Sequence, residues 1–249
     1  MAHPSRCSGR AAAPAIPPCR ACPVVGPRAW AGVEHLADDL QGARTVERRP
    51  RGDWLYRQGD PADRLFALIE GAVVISRDDG RGEPLAVHLV TAGTTMGFRG
   101  VLDGGRHGVS AQCATRSVIC SFPIAAAEEA MEANRALEGV FFHHMADELG
   151  AAQDRMLRMA SLCVRDRLVL LLGQLVPSCG RTLADGGLLI ATPVSRTDMG
   201  ALAGMTPETL SRCIRTLESE GLAYFTRRHI LVPDPTRFRA ELTRLGAAS

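Results

Sequence analysis

The feature that most constrains the fold of this chain is a change in the period of its apolar residues near residue 123. Before that point, short apolar runs of β type alternate with turn sequences such as Gln58-Gly-Asp-Pro and Asp78-Asp-Gly-Arg-Gly. After it, apolar residues recur at helical spacing and turn residues are almost absent up to about Val176. Because short strands with frequent turns form antiparallel barrels or sandwiches, the first pattern predicts a small β domain. The two patterns together predict an α+β fold.

The length of 249 residues favours two domains rather than one or three. Residues 1–31 are rich in Ala, Pro and Arg and are expected to form an irregular arm that carries cysteines. We divide the rest into a β-barrel domain (32–124), a long helix (125–160) and a C-terminal domain (161–249). Within the β-barrel domain, β runs begin at Asp53, Leu65, Ala72, Ala86 and Ser117.

The predicted long helix must bury an apolar stripe. The stripe consists of residues with helical spacing: Leu137, Phe141, Met145, Leu149, Met156, Met159 and Cys163. It could pack against its own chain, or it could form a coiled-coil-like seam with a second subunit. The spacing alone leaves both interpretations open.

The C-terminal domain contains two short capped helices separated by a glycine. Ser195-Arg-Thr-Asp198 is typical of a capping box at a helix start. Gly204 supplies a turn, and Thr206-Pro207 is a capping residue followed by a proline at the first helical position. This arrangement predicts a helix-turn-helix.

The second of these helices separates its residues by face. The apolar residues Leu210, Ile214 and Leu217 follow the spacing of an inward face. The polar residues of the other face are Glu208, Ser211, Arg212 and Arg215. Arginine, glutamate and serine are residue types that hydrogen-bond to base edges in the DNA major groove. A solvated charged face is the alternative explanation.

A predicted hairpin after the second helix favours the DNA-binding interpretation over that alternative. Residues 222–226 and 229–232 read as strands around Arg227-Arg228, which gives the winged form of the helix-turn-helix. Arg227 and Arg228 at the wing tip suit contacts to phosphate, and we add Thr206 to the expected DNA-contacting residues. The predicted partner is therefore double-stranded DNA.

Charge and hydropathy agree with this interpretation without proving it. The whole chain has a net charge of +2, and residues 162–249 carry 11 arginines against 8 acidic residues. The longest apolar run, Leu168–Leu172, is far shorter than a membrane-spanning helix, and the N-terminus lacks the apolar segment of a secretory signal. We therefore expect a cytoplasmic protein without a membrane partner.

The sequence resembles the CRP/FNR family of bacterial transcription regulators over nearly its whole length. The segment 52–71 is similar to the family's double-stranded β-helix sensor domain, which is of the cyclic-nucleotide-binding type, and 195–212 is similar to its DNA-binding motif. The resemblance implies a sensor domain, a dimerisation helix and a winged helix-turn-helix in a homodimer that is not an enzyme. It also implies RNA polymerase as a partner.

The resemblance is strongest to the FNR branch of the family. Glu208-Thr-Leu-Ser211-Arg212 matches that branch's E-x-x-S-R pattern, whereas the CRP branch has glycine at the position of Ser211. The match implies that Glu208, Ser211 and Arg212 read a TTGAT-like half-site, and that a dimer reads an inverted repeat.

The cofactor expected from the resemblance is an oxygen-labile [4Fe–4S] cluster rather than cAMP. The glutamate and arginine that cradle a cyclic-nucleotide phosphate are missing from Gly97-Phe98 and Gly108-Val109-Ser110, although Arg99 or Arg106 could substitute. Cysteines that match the FNR branch are Cys19, Cys22 and Cys120.

The cysteine pattern departs from the FNR branch at one position. Arg28 stands in place of the third early cysteine, so the fourth ligand would be Cys7, or Cys113 from the barrel. Alternatives are a redox or metal thiol site, no cofactor at all, and a haem or small-molecule effector in the β domain. A thiol redox enzyme built around Cys19 and Cys22 is a further alternative, but no His or Glu flanks the pair.

Overall fold

The computed structural model describes residues 18–22, 34–78, 80, 84–102, 105–133 and 135–246. A single 3-10 turn, Cys19–Ala21, precedes the first helix, α1 (Glu34–Ala43). The strands of the β domain and its one short helix follow in chain order: β1 (Thr45–Arg49), β2 (Trp54–Tyr56), β3 (Arg64–Glu70), β4 (Ala72–Arg77), β5 (Leu85–Thr91), β6 (Thr95–Met96), α2 (Phe98–Leu102), β7 (Ser110–Cys113) and β8 (Ser117–Pro123).

These strands form two antiparallel four-stranded sheets. One sheet has the order β1-β8-β3-β6 and the other the order β2-β7-β4-β5. The side chains between them form a buried apolar cluster: Tyr56, Leu68, Val73, Ile75, Val90, Met96, Ala111, Cys113 and Ile119. A strand turns successive side chains to opposite faces, so the short apolar runs of the sequence supply one inward residue in two. The structure has a strand in each of the five predicted β runs.

The long helical segment predicted after the β domain is described as two helices, one on each side of residue 134. They are α3 (Ile124–Ala133) and α4 (Arg135–Ser161). In α3, Ala127 and Ala130 are buried, and this helix packs on α1, β3 and β8 of the β domain. The described part of α4 exposes Leu149, Met156 and other large apolar side chains. The helical period alone does not show where packing against the barrel ends.

The C-terminal domain contains four helices and a small sheet. Its elements are α5 (Val164–Cys179), β9 (Gly180–Thr182), β10 (Leu188–Ala191), α6 (Arg196–Leu202), α7 (Pro207–Ser219), β11 (Tyr224–Phe225), β12 (His229–Val232) and α8 (Pro235–Arg244). The strands pair in the antiparallel order β11-β12-β10-β9. The fold is therefore α+β, with a double-stranded β-helix followed by helices and a winged helix-turn-helix.

The core of the C-terminal domain continues onto the β domain. Leu168, Leu217 and Phe238 are almost fully buried in a cluster that also contains Ala72 and Leu89 from the sensor strands. Helix α6 packs on β5. This contact fixes the position of the helix-turn-helix relative to the sheet. None of the described helices has the length and hydropathy that crossing a bilayer requires.

Candidate nucleic-acid interface and cysteine cluster

Helix α6 begins with a complete capping box. The Ser195 hydroxyl oxygen accepts a hydrogen bond from the Asp198 amide at 3.0 Å, and the Asp198 carboxylate accepts from the Ser195 amide at 3.3 Å. These bonds satisfy amides that have no partner within a first helical turn. The structure thus confirms the start of the first helix of the helix-turn-helix.

The turn and the start of α7 also follow the sequence signals. Gly204 has φ +62°, a left-handed conformation that favours glycine. The Thr206 hydroxyl accepts a hydrogen bond from the Thr209 amide at 3.3 Å, and Pro207 occupies the first position of α7. Because Pro207 lacks an amide hydrogen, it leaves no unsatisfied donor at this position.

The two faces of α7 are separated by burial. Its inward residues Leu210, Cys213, Ile214 and Leu217 are buried. The DNA-contacting residues predicted from the sequence, in α7 and in the wing, are all exposed: Thr206, Glu208, Ser211, Arg212, Arg215, Arg227 and Arg228. The buried side chains hold α7 to the domain, so its opposite face remains open to a ligand as large as a duplex.

Hydrogen bonds within α7 orient the exposed polar side chains. Arg212 Nη2 donates to Thr209 Oγ1 at 3.0 Å, and the Ser211 hydroxyl donates to the Pro207 carbonyl at 2.9 Å. Hydrogen bonds from its own backbone amide and from Thr206 lower the pKa of Glu208 below its usual value. Glu208 is therefore ionised at neutral pH and presents an acceptor, while Arg212 presents donors.

The predicted wing is present as the antiparallel hairpin of β11 and β12. Arg227 and Arg228 lie at its tip, where the Thr226 hydroxyl oxygen accepts a hydrogen bond from the His229 amide at 3.0 Å. Because the turn is held by this bond, both exposed arginines are presented from an ordered hairpin.

Two further arginines at this interface were missed by the sequence analysis. A groove of about 740 Å³ is lined by Arg227 and Arg228 of the wing, by Arg196 of α6 and by Arg51 of the β domain. Arg51 Nη1 lies 3.4 Å from the Thr192 carbonyl oxygen. The position of Arg196 beside the capping box could have indicated its role, whereas only the tertiary contact places Arg51, 141 residues before Thr192.

The three described cysteines of the predicted cluster site lie close together. Cys22 packs against the buried Cys120 on the outer side of β8, beside Val46. Arg44 Nη1 donates to Cys19 Sγ at 3.7 Å. We call Cys19, Cys22 and Cys120 the cysteine cluster. The structure places Cys22, which follows the 3-10 turn of the arm, against the barrel strand β8.

Cys113 lies on a different side of the barrel. Ile119 packs between the two sheets, so its neighbour Cys120 points to the opposite, outer face. Cys113 belongs to the inner cluster with Ile119. It is therefore separated by the sheet from the cysteine cluster. The other expected fourth ligand, Cys7, lies outside the described residues.

The cysteine cluster is not arranged as a metal site in the part of the chain that the structure describes. There, no group of three or more His, Cys, Asp or Glu side chains has the geometry to hold a metal ion. Burial raises the pKa of Cys120 to about 11, with a smaller lowering effect from Arg44, and burial also raises that of Cys19. The thiols of Cys19 and Cys120 are therefore protonated at neutral pH, and a metal would have to displace their protons.

The position corresponding to a cyclic-nucleotide phosphate cradle has other contacts. Gly97 has φ +102°, and a Cβ there would lie 2.9 Å from the Arg64 carbonyl oxygen. Arg106 Nη1 donates to the Gly59 carbonyl oxygen at 2.7 Å. The buried His107 ring stacks on Tyr56 with ring centroids 3.7 Å apart. The Arg106 guanidinium therefore already has a backbone partner.

Comparisons with known proteins agree with both domains. Residues 46–134 match the Cyclic nucleotide-binding domain family, and residues 166–241 match the Crp-like helix-turn-helix domain family. The nitrogen fixation regulation protein FixK of Rhizobium meliloti (strain 1021) is 31% identical over 193 residues, covering 76% of this chain and 83% of FixK. The chain belongs to the CRP/FNR family of transcription regulators.

Two further relatives are more distant. The fumarate and nitrate reduction regulatory protein of Escherichia coli (strain K12) is 23% identical over 205 residues, covering 80% of this chain and 79% of that protein. The structure of FixK2 from Bradyrhizobium japonicum superposes with a TM-score of 0.66 at 22% identity, covering 79% of this chain and 96% of FixK2. The FixK2 match supports the fold.

Proposed function

We propose that this CRP/FNR regulator binds DNA as a homodimer at an inverted repeat of TTGAT-like half-sites. The observation that carries the proposal is the exposed face of α7, where Glu208, Ser211 and Arg212 stand opposite a fully buried apolar face. Glutamate accepts from cytosine N4, and arginine donates to guanine O6 and N7. RNA polymerase is the proposed protein partner of the DNA-bound dimer.

The arginines around the groove supply contacts that do not depend on base sequence. Arg51, Arg196, Arg227 and Arg228 line it, and none of the lining side chains in the described part of the chain is acidic. Arginines of this kind contact phosphates and fix the register of the protein on the duplex. In this proposal α7 supplies selectivity and the groove supplies affinity.

The dimer is supported by the exposed apolar side chains of α4. Phe142, Leu149 and Met156 are 62%, 61% and 72% exposed and are spaced seven residues apart. A heptad repeat of exposed apolar residues on a long helix is typical of a two-stranded seam. A second copy of the chain would cover all three side chains at once. The heptad favours a seam with a second subunit over packing of the apolar stripe against its own chain.

A binding titration tests the DNA part of the proposal. We expect the protein to bind a duplex with an inverted TTGAT repeat about 10³-fold or more tightly than the same duplex with both half-sites scrambled. The measurement is fluorescence anisotropy at one fixed salt concentration, because phosphate contacts make affinity depend on salt. Equal affinities for the two duplexes would exclude sequence-specific recognition.

We further propose that the cysteine cluster, with Cys7 as the fourth thiolate, holds an oxygen-labile [4Fe–4S] cluster. The donor chemistry suits iron–sulfur ligation. Cys22 packs against Cys120 on the outer face of β8, and Cys19 is near enough to affect the pKa of Cys120. Cys113 is the less suitable fourth ligand because it lies between the sheets. The inorganic cluster would supply sensitivity to oxygen, and the arm and β8 would hold it.

Iron analysis of serine variants tests this assignment. Anaerobic reconstitution should give about four iron and four sulfide per chain, with a brown colour that bleaches in air. Cys120→Ser and Cys7→Ser should each lose most of the iron because each removes one ligand. Cys113→Ser is the matched control from the inner face and should retain it.

The outcomes separate the two parts of the proposal. A wild-type chain that takes up no iron rules out the cluster and leaves the DNA-binding proposal intact. If Cys113→Ser loses its iron and Cys7→Ser keeps it, the fourth ligand is Cys113 of the barrel. A thiol redox enzyme is less well supported, because catalytic thiols have lowered pKa values, whereas burial raises those of Cys19 and Cys120.

A further inference from the structure

A small cavity lies where the β domain, α4, α5 and α6 meet. Its volume is about 50 Å³, and its apolar wall is formed by residues of all four elements. Its polar lining consists of five side chains: His88, Arg155, Arg158, Arg167 and Gln174. The cavity is separate from the recognition face of α7 and from the cysteine cluster, whose residues do not line it.

The charge of this cavity is unbalanced. Three guanidinium groups line it, and none of the described residues that line it is Asp or Glu. Burial, and then the charge of Arg155, lower the pKa of His88 to about 4. His88 is therefore neutral at pH 7 and offers a hydrogen bond without charge.

Arg167 has no acidic partner among the described residues. Its Nη1 donates only to neutral atoms, the Met159 sulfur and the Gly204 carbonyl oxygen, each at 3.1 Å. Its Nε atom is buried and has no hydrogen-bond partner there. A buried donor without a hydrogen-bond partner is costly.

Arg165, two residues earlier on α5, provides an internal comparison. Its guanidinium contacts the carboxylates of Glu220, Asp166 and Glu241. Among the described residues, α5 therefore places acidic groups around Arg165 and none around Arg167. This contrast favours a counterion for the Arg167 cavity that comes from outside the described residues.

The size of the cavity limits what that counterion is. A water molecule requires roughly 10–15 Å³ of such volume, so the space suits about four waters or one small ion, and it is too small for a nucleotide. We propose that the cavity binds a small inorganic oxyanion of the phosphate or sulfate type, held by Arg155, Arg158 and Arg167. Gln174 and His88 would complete its hydrogen bonds.

A bound oxyanion would connect parts of the protein that are distant in sequence. His88 lies on β5, Arg155 and Arg158 on α4, and Arg167 on α5, where it also holds the carbonyl of the helix-turn-helix turn residue Gly204. The ion would neutralise repulsion between the three arginines. It would thereby stabilise the position of the helix-turn-helix against the β domain and α4.

Thermal unfolding and calorimetry of the full chain test this proposal without DNA. At constant ionic strength, phosphate should raise the Tm by about 4 °C over chloride and the effect should saturate. Arg158→Gln should weaken phosphate binding, measured by isothermal titration calorimetry, by about tenfold or more. Arg158 is chosen because Arg167 also supports the Gly204 turn, and Arg155→Gln serves as a second variant with the same expectation.

The control is Arg239→Gln, which removes an exposed arginine of α8 and should bind phosphate as the wild type does. Phosphate and sulfate also stabilise proteins generally, by exclusion from the surface. That effect rises steadily with concentration and is the same in every variant. A Tm increase that does not saturate, or phosphate binding unchanged in both Arg158→Gln and Arg155→Gln, would overturn the proposal. Sulfate in place of phosphate shows whether the site distinguishes the two ions.

Discussion

Replacing Arg212 with alanine should abolish most of the selectivity for the inverted repeat. An arginine that donates to a guanine contributes about 1–3 kcal/mol per half-site, so a dimer should lose about 2–6 kcal/mol. This corresponds to roughly 30-fold to 10⁴-fold in affinity for the repeat. Because Arg212 is exposed and hydrogen-bonded only to Thr209 on its own helix, the substitution should leave the fold intact.

The measurement is an anisotropy titration on the repeat and on duplexes with a single symmetric base change in each half-site. Arg212→Ala should bind the repeat and one of these altered duplexes about equally. Arg228→Ala is the contrasting variant, because a wing arginine that contacts phosphate should weaken binding to every duplex alike and reduce its salt dependence. If the Arg212→Ala protein still discriminates at every base pair, Arg212 is not one of the residues that read the bases.

Replacing Leu149 with glutamate should convert the dimer into a monomer. Leu149 is at the middle of the heptad formed with Phe142 and Met156 and is 61% exposed, so its substitution should not unfold the chain. Two glutamates facing each other across a seam would be desolvated and would repel. A monomer holds only one half-site, so affinity for the repeat should fall by about 10²-fold to 10⁴-fold.

Sedimentation equilibrium gives the mass, and the same anisotropy assay gives the affinity. Ala151→Glu is the matched control: it adds the same charge at an exposed position of α4 that lies on the opposite side from the heptad. It should remain dimeric and bind DNA normally. A Leu149→Glu protein with the mass of a dimer would place the subunit interface elsewhere on the molecule.

The helix-turn-helix could be predicted from sequence because its signals are local. The capping box at Ser195, the glycine turn and Pro207 each act within a few residues, and the separation of faces on α7 follows from helical geometry. The same reasoning found the wing, since a hairpin joins neighbouring segments. The strands β1, β6, β7, β9 and β10 were missed, because short strands form only where they pair with other strands of the sheet.

The sequence by itself determined the order of the domains, the faces of α7 and the family to which the chain belongs. Only the tertiary structure brought Cys22 to Cys120, Arg51 to the groove beside the wing, and Arg167 to a cavity that no acidic side chain of the described residues lines. The reason is physical: periodicity and capping are properties of adjacent residues. Contacts between residues about 100 positions apart depend on how the sheets and helices pack in three dimensions.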